Sequence, residues 1–395
     1  MPKIYLDYAA TTPVAPQVFK TIQPYFCQKF GNPASLHSFG QEALKAVDFA
    51  REKVAKFLNC QIQEIIFTSG TTESNNLAIA GVIAATSIKK PHIITTKIEH
   101  HSILEPLKYL EKHGCDVTYL SVDKEGVLNK KSVQQALKEN TILVSIIYAN
   151  NEIGTVQPIA EVGELIKKEN EKRQKQGRGK IIFHTDAVQA IEYLNCNVQA
   201  LGVDLLSFSG HKIYGPKGIG VLYIKQGTKI KKIQRGGSQE YYMRAGTLNV
   251  PGIVGLGKAI ELIQSLSHKK EIIAIKKLRD KLIEGITKTI SGTRLNGSKN
   301  LRLPNNANLS FAKIEGESIL LHLDFEGIAV STGSACASGS LEPSHVLLAL
   351  GLSHEQAHGS IRFTLGRDTT EREINYLLKI LPKIIKKLRK MSPIK

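Results

Sequence analysis

The sequence lacks an apolar run of about 18 residues, the length that a membrane-spanning helix requires. The first seven residues also lack the apolar core of a signal peptide and lead directly into patterned sequence. These absences argue against a membrane protein and against a secreted one. We therefore expect a cytoplasmic protein with no membrane partner.

Cysteine is also scarce, with five residues at positions 27, 60, 115, 196 and 336 and no Cys-x-x-Cys pair. An odd number of cysteines without paired spacing argues against a disulfide framework and a metal cluster, so we expect reduced thiols and no metal. Cys336 differs from the others because its neighbours in residues 334–340 are all serine, alanine or glycine. The residues leave two interpretations open, a thiol carried on a flexible loop and a linker with an incidental cysteine.

Acidic residues are few relative to basic ones, 35 against 53, which gives a formal net charge of +18. An excess of basic over acidic residues can indicate nucleic-acid binding. Here the lysines are spread along the chain, which favours a solvated, lysine-rich surface. We predict no direct nucleic-acid binding and leave open an acidic protein partner or a tRNA nearby.

The 395 residues suit two domains of ordinary size. In the first two thirds of the chain, short apolar runs rich in β-branched residues alternate with amphipathic helical stretches. This order predicts an α/β domain with a mostly parallel sheet, whose ligands would bind at the carboxyl ends of the strands. The predicted strands span residues 65–68, 92–96, 117–120, 142–148, 181–184, 205–207 and 220–224, and the predicted helices span 72–85, 102–112, 131–138 and 159–171.

Beyond residue 256 the pattern changes to a long lysine-rich helical stretch over residues 257–290, followed by short strands and further helices. We therefore predict a large domain over residues 15–256. A smaller domain would be formed by residues 1–14 together with 257–395, and it would carry the cysteine loop.

Residues 69–76, Ser-Gly-Thr-Thr-Glu-Ser-Asn-Asn, stand between a predicted strand and a predicted helix. Glycine and small hydroxyl residues at a helix N-terminus leave backbone N–H groups available for an anion. An ordinary helix cap has the same composition. Alone, the motif leaves phosphate binding and simple capping open.

Asp186 closes one predicted strand, and Lys212 follows the next one. A carboxylate could pair with the protonated nitrogen of a pyridine cofactor, and a lysine beside a glycine-rich turn suits a Schiff base. Taken singly, Asp186 could instead cap a helix, and Lys212 could be an exposed lysine. Because both follow successive strands, both side chains can reach one site at the sheet edge, where Ser209 and His211 could hold a phosphate.

With these motifs in this order, the chain resembles cysteine desulfurases of the NifS/IscS type (group I), within the class V aminotransferase superfamily. The resemblance covers nearly the whole chain. It implies fold type I of the pyridoxal-phosphate-dependent transferases, with a large domain built on a mostly parallel mixed sheet and a smaller α+β domain. The other matching motifs are residues 5–13, 30–35, 99–101, 149–154, 244–247 and 360–363.

The resemblance also implies a cofactor, pyridoxal 5'-phosphate, and a role for each matching residue. Lys212 would hold the cofactor as a Schiff base and move the α-proton, and Asp186 would pair with the ring nitrogen. His100 would stack on the ring and help proton transfers, and Cys336 would be the nucleophile that becomes a persulfide. The remaining implied contacts are Gln189 to the phenolic oxygen, Thr71, Thr72, Ser209 and His211 to the phosphate, Thr247 to the phosphate in the neighbouring subunit, Asn151 to the cofactor, and Asn151 with Arg362 to the substrate carboxylate.

The implied reaction converts L-cysteine to L-alanine in a homodimer, and the sulfur passes to acceptors such as an iron–sulfur scaffold or a tRNA thiolase. Two alternatives stay open. One is a selenocysteine lyase or another class V pyridoxal-phosphate enzyme, although an aminotransferase has no need of the Cys336 thiol. The other is a non-catalytic scaffold, against which the presence of Lys212, Asp186 and Cys336 argues.

Overall fold

The computed structural model describes residues 3–332 and 342–392, so the predicted nucleophile Cys336 lies outside the described residues. The strands are β1 (Ile4–Tyr5), β2 (Ile65–Thr68), β3 (His92–Thr96), β4 (Asp116–Leu120), β5 (Thr141–Ile147), β6 (Ile182–Asp186), β7 (Leu205–Ser209), β8 (Gly220–Ile224), β9 (Thr293–Leu295), β10 (Asn306–Phe311), β11 (Ile328–Ala329) and β12 (Ser360–Thr364). The helices are α1 (Pro16–Ile22), α2 (Pro24–Cys27), α3 (Ser38–Leu58), α4 (Thr71–Ala85), α5 (His101–Lys112), α6 (Lys130–Ala136), α7 (Ile159–Lys175), α8 (Val198–Leu201), α9 (Val250–Ile263), α10 (Leu266–Thr289), α11 (Gly316–Phe325), α12 (His345–Ala349), α13 (His354–His358) and α14 (Glu371–Met391).

The largest sheet has seven strands in the order β2-β8-β7-β6-β5-β3-β4. The pairs from β7 through β6, β5 and β3 to β4 are all parallel, whereas β8 runs antiparallel to both of its neighbours. The prediction of a mostly parallel mixed sheet is therefore confirmed. The carboxyl ends of β5, β6 and β7 consequently meet at one edge of the sheet.

Both faces of this sheet are covered, which explains why its strands read as nearly continuous apolar runs. On β7, Leu206 and Phe208 belong to an apolar core shared with α1, α3, α7 and α9. Leu205, whose side chain alternates to the opposite face, packs in a separate core with α4 and α5. Helices on two faces of a parallel sheet are the layers expected from the strand–helix alternation.

A further apolar core lies between α10, α11 and α14 and the antiparallel sheet β12-β10-β9. Ile4 and Leu6 from the start of the chain also belong to it, and β1 pairs with β11 in parallel. Helix α9 contributes to the core of the large sheet as far as Ile263. The predicted domain boundary between residues 256 and 257 stays a prediction.

The helical stretch expected over residues 257–290 is present but is divided into two helices. The chain forms α9 and α10, and Ser265 between them caps α10, since its hydroxyl accepts a hydrogen bond from the His268 backbone N–H. Helix α7 also runs four residues beyond its expected end at residue 171. The reason is the buried Arg173, which donates to the carbonyl oxygens of Thr141 and Lys138 and so ties the last turn to the core.

None of the helices in the described residues is long and apolar enough to cross a membrane.

A turn over Glu240–Tyr242 contains three successive residues in the left-handed region, with φ angles of 48°, 54° and 66°. Such angles are unfavourable for residues other than glycine and persist only where surrounding contacts impose them. The Glu240 carboxylate supplies those contacts, because it accepts hydrogen bonds from Arg51 at 2.6 and 3.0 Å and from the Phe67 backbone N–H at 2.7 Å. Both charged side chains are almost completely buried.

Replacing Glu240 by glutamine (E240Q) removes the counter-charge of a buried arginine. We expect the free energy of unfolding to fall by about 3 kcal/mol or more, since Arg51 would remain charged without its partner. Chemical denaturation followed by circular dichroism measures this change. The matched control is E105Q, whose partner Lys108 is exposed, and which should cost less than about 1 kcal/mol. Equal effects of the two variants would contradict a structural role for the buried pair.

Candidate active site

A cavity of about 640 Å³ lies at the carboxyl edge of the large sheet, between that edge and β12 of the smaller sheet. Ten of the predicted site residues line it: Thr71, Thr72, His100, Asn151, Asp186, Gln189, Ser209, His211, Lys212 and Arg362. Thr247 does not line the cavity and is exposed. Cys336 lies outside the described residues.

The strand order explains this convergence. Asp186 is the last residue of β6, Ser209 is the last residue of β7, and Lys212 ends the short turn Gly210–Lys212 that follows β7. Asn151 lies four residues after the end of β5. Because neighbouring parallel strands end at the same edge, residues that are distant in sequence face one cavity.

The N-terminus of α4 offers a cradle for an anion. Gly70 is its N-cap, and a Cβ atom at this position would meet no atom within 4 Å, so the backbone is open at this point. The buried hydroxyl of Thr71 has no partner among the described residues. Unpaired helix N–H groups and a free hydroxyl fit the phosphate of the predicted cofactor.

His211 lines the same cavity, and its Nδ1 lies 3.1 Å from Oγ1 of Thr11. Burial, together with the charges of Lys212 and Lys217, lowers the pKa of His211 to about 4. The imidazole is therefore neutral near pH 7. It could contact a phosphate through a hydrogen bond but would add no positive charge.

Asp186 is held by two donors. Nδ2 of Asn75 lies 2.8 Å from Oδ2, and the backbone N–H of Val188 donates to Oδ1 at 3.0 Å. The side chain is only 4% exposed, so an ionised carboxylate here needs such partners. It has further acceptor capacity for a cationic ring nitrogen, which fits the predicted cofactor.

The amine of Lys212 is placed by the N-terminal segment of the chain. Its Nζ donates to the carbonyl oxygens of Ala9 and Ala10, both at 2.7 Å. The amide of Gln189 donates to the same Ala9 oxygen at 3.0 Å. Lys212 and Gln189 are thereby held side by side at the wall of the cavity.

Arg362 enters the cavity from the smaller sheet and is 3% exposed. Its guanidinium donates to Asp7 Oδ1 at 2.8 Å and to the backbone oxygen of Asn151 at 3.0 Å, whereas its buried Nε has no partner among the described residues. A buried arginine with an unused donor suits a carboxylate ligand.

The described residues that precede and follow positions 333–341 are attached near this arginine. Ser331 and Arg362 exchange backbone hydrogen bonds at 3.2 and 2.7 Å. On the other side, the Ser344 hydroxyl lies 2.5 Å from Oε2 of the buried Glu152, which also lines the cavity. The described residues that flank positions 333–341 thus lie near the border of the cavity.

Several residues at the site were missed by sequence reasoning. Glu99 and Glu152 are buried acids, and burial raises the pKa of Glu99 to about 8 and that of Glu152 to about 7. Asn75 and Ser102 form buried hydrogen bonds between Asp186 and His100. The sequence marked these four residues only by position, because each lies within or next to a motif that was identified from other residues.

Comparison with known proteins gives the family. The class-V aminotransferase family matches residues 4–377. Cysteine desulfurase IscS of Dictyoglomus turgidum is 55% identical over 393 residues, covering 100% of this chain and 97% of that protein. Cysteine desulfurase IscS of Methanosarcina thermophila is 50% identical over 391 residues, covering 99% of this chain and 94% of that protein.

Comparison with solved structures gives the same family. A NifS-like protein superimposes with a TM-score of 0.90 at 38% identity, covering 98% of this chain and all of that one (100%). SspA in complex with cysteine superimposes with a TM-score of 0.80 at 36% identity, covering 93% of this chain and 100% of that one. The expected fold type is confirmed, and the chain belongs to the class-V aminotransferase family and, within it, to the pyridoxal-phosphate-dependent cysteine desulfurases.

Proposed function

We propose that this chain takes the sulfur from L-cysteine, releases L-alanine and keeps the sulfur as a persulfide on Cys336. One observation carries the proposal most directly. Asp186 ends β6, Lys212 ends the turn after β7, and Arg362 lies on β12 of the smaller sheet, yet all three line one cavity. A cofactor amine, a ring-nitrogen partner and a carboxylate ligand are the groups that such a reaction needs within reach of one another.

The cofactor would lie between α4 and the ends of β6 and β7. Its phosphate would be held by the N-terminus of α4 with Thr71 and Thr72, and on the other side by Ser209 and His211. When bound, pyridoxal phosphate supplies an electron sink for the α-carbon of an attached amino acid. Asp186 would strengthen that sink by pairing with the ring nitrogen, and Gln189 would donate to the phenolic oxygen.

The substrate carboxylate would bind Arg362 and Asn151. Nε of Arg362, which has no partner within residues 3–332 and 342–392, supports this assignment, because a carboxylate there would complete the hydrogen bonds of a buried guanidinium. Lys212 would provide the amine that holds the cofactor and would then move the α-proton. His100 would cover one face of the ring.

The thiolate of Cys336 would be the nucleophile in the sulfur-transfer step. The thiolate attacks the sulfur of cysteine, a sulfur–sulfur bond forms, and the carbon–sulfur bond of the substrate breaks. The carbon skeleton keeps the bonding pair, takes a proton and leaves as L-alanine. No external oxidant or reductant is required, since Cys336 gains the sulfur that the substrate loses.

The proposal includes a homodimer and a sulfur acceptor. Thr247 is exposed and lies outside the cavity of its own subunit, which is compatible with a contact to the phosphate in a neighbouring subunit. The acceptor would be an iron–sulfur scaffold or a tRNA thiolase, without direct binding of nucleic acid. A cytoplasmic location is part of the proposal, in keeping with the free cysteines of the described residues.

The variant K212A should lose the visible absorption band of the bound cofactor and all alanine formation, because no other residue is proposed to bond the cofactor covalently. Absorption spectra of the purified protein measure this directly. The control K225A changes an exposed lysine paired with Asp204 and should keep the band. A K212A protein with an unchanged band would overturn the assignment.

The variant C336S should retain the cofactor band but form no alanine from cysteine, because the hydroxyl is a much poorer nucleophile than a thiolate. The matched control is C27S at an exposed free cysteine, which should keep full activity. Normal turnover in C336S would show that the sulfur leaves by another route.

The variant R362K should lower kcat/KM for cysteine about 10- to 100-fold, since a point charge replaces planar charge-assisted donors. Steady-state kinetics with cysteine measure the effect, and R178K, at an exposed ion pair with Glu139, serves as the control. An unchanged kcat/KM in R362K would exclude Arg362 as the carboxylate ligand.

A further inference from the structure

We propose that Asn75 and Ser102 are positioning residues that hold His100 as a neutral imidazole with its proton on Nε2, so that His100 serves the reaction as a hydrogen-bond donor and not as a base. This inference rests on the proposed function, because it assigns a proton state to a residue of that site. It departs from the role in proton transfer that the family resemblance implies for His100.

The first support is the position of His100 at the start of α5. His100 is the N-cap of this helix, and its Nδ1 accepts the backbone N–H of Ser102 at 3.1 Å. A backbone N–H can only donate, so Nδ1 must present a lone pair. In the neutral ring the proton then resides on Nε2.

The second support is a directed chain of hydrogen bonds that begins at Asp186. Nδ2 of Asn75 lies 2.8 Å from Asp186 Oδ2 and 2.8 Å from Ser102 Oγ. A carboxylate accepts, so the amide group of Asn75 must face it with N–H groups, and the second N–H goes to Ser102. Since Nδ1 of His100 carries a lone pair, the Ser102 hydroxyl donates to it across 2.8 Å.

The two middle residues of this hydrogen-bond chain are buried, so water competes little for their donors and acceptors. Asn75 is fully buried and Ser102 is 7% exposed. The single lone pair of His100 Nδ1 is thus shared by two donors, the backbone N–H and the hydroxyl of Ser102. A second proton can reach the ring only at Nδ1, where it would remove the acceptor of the backbone N–H and force the Ser102 hydroxyl to turn from donor to acceptor.

The surroundings of His100 lower its pKa and so also favour the neutral ring. Burial is the largest effect and lowers the pKa of His100; Lys212 from the turn after β7 and His101 from α5 lower it further, and only Asp186 from β6 raises it. On α12, His345 is itself held neutral near pH 7 by burial, which lowers its pKa. Removal of the α-proton is then left to Lys212, and His100 offers Nε2–H to an electron-rich atom of the bound substrate.

The direct test is nitrogen NMR of the holoenzyme labelled with ¹⁵N-histidine, with His100 assigned by the signals that disappear in His100→Gln. We expect an unprotonated, hydrogen-bonded Nδ1 and a protonated Nε2 throughout about pH 6 to 8, the range in which an ordinary histidine titrates. An imidazolium at pH 7, or a proton on Nδ1, would overturn the proposal. This measurement needs no variant of the hydrogen-bond chain to fold.

The variant S102A tests whether the chain sets the proton state. It removes the hydroxyl donor and keeps the backbone N–H, so Nδ1 becomes more basic. We expect the NMR titration of His100 and the acidic limb of the kcat/KM profile to shift to higher pH, with S102T restoring the wild-type profile. Asn75→Leu, which removes both amide donors, should shift them in the same direction.

The matched control is S310A. Ser310 is also buried and accepts a hydrogen bond from an asparagine amide, that of Asn296, at 2.8 Å, but it lies in the smaller sheet away from His100. S310A should leave the pH profile unchanged. An S102A enzyme with wild-type NMR titration and pH profile would refute the role of Ser102. Because the tautomer is read without turnover, absence of alanine formation with the expected tautomer would instead count against the proposed function alone.

Discussion

Asp186 places a carboxylate at the end of a central parallel strand, where it is only 4% exposed. A charge in such surroundings is costly unless donors surround it. The fold supplies them from the following turn, through the N–H of Val188, and from α4, through Asn75. The same carboxylate is the partner proposed for the ring nitrogen. The cofactor site therefore depends on how this one charge is compensated, and the contacts that compensate it also reach His100.

The site joins two cores that pack separately. Asp186 ends a strand of the large sheet and Lys212 lies in the turn after β7, whereas Arg362 belongs to β12 in the smaller sheet. Two of the contacts that tie the parts together lie beside the site: Arg362 bonds to the backbone of Asn151, and the backbone N–H of Arg367 donates to the hydroxyl of Tyr214 at 2.8 Å. Tyr214 lies two residues after Lys212. Direct hydrogen bonds therefore fix the position of Arg362, the proposed substrate ligand, relative to Lys212, the proposed cofactor ligand.

Much of the fold could be predicted from the sequence because its strands are buried on both faces and are separated by amphipathic helices. The convergence of Asp186 and Lys212 also followed from the sequence, since parallel strands end at one edge. The break at Ser265 was missed because a lysine-rich helical pattern continues across it. The contacts of Asn75, Ser102 and the Arg51–Glu240 pair could not be predicted, because they join segments far apart in sequence through polar side chains that no periodic pattern marks.

The central claim, that sulfur from cysteine comes to rest on Cys336, is tested most directly by single-turnover measurement without an acceptor. The holoenzyme is mixed with sulfur-labelled L-cysteine, alanine is quantified, and the labelled residue is located by peptide mass spectrometry. The account predicts alanine and labelled sulfur in equal amounts, with the label on Cys336. Alanine formed without label on Cys336, or label on Cys27 in its place, would contradict it.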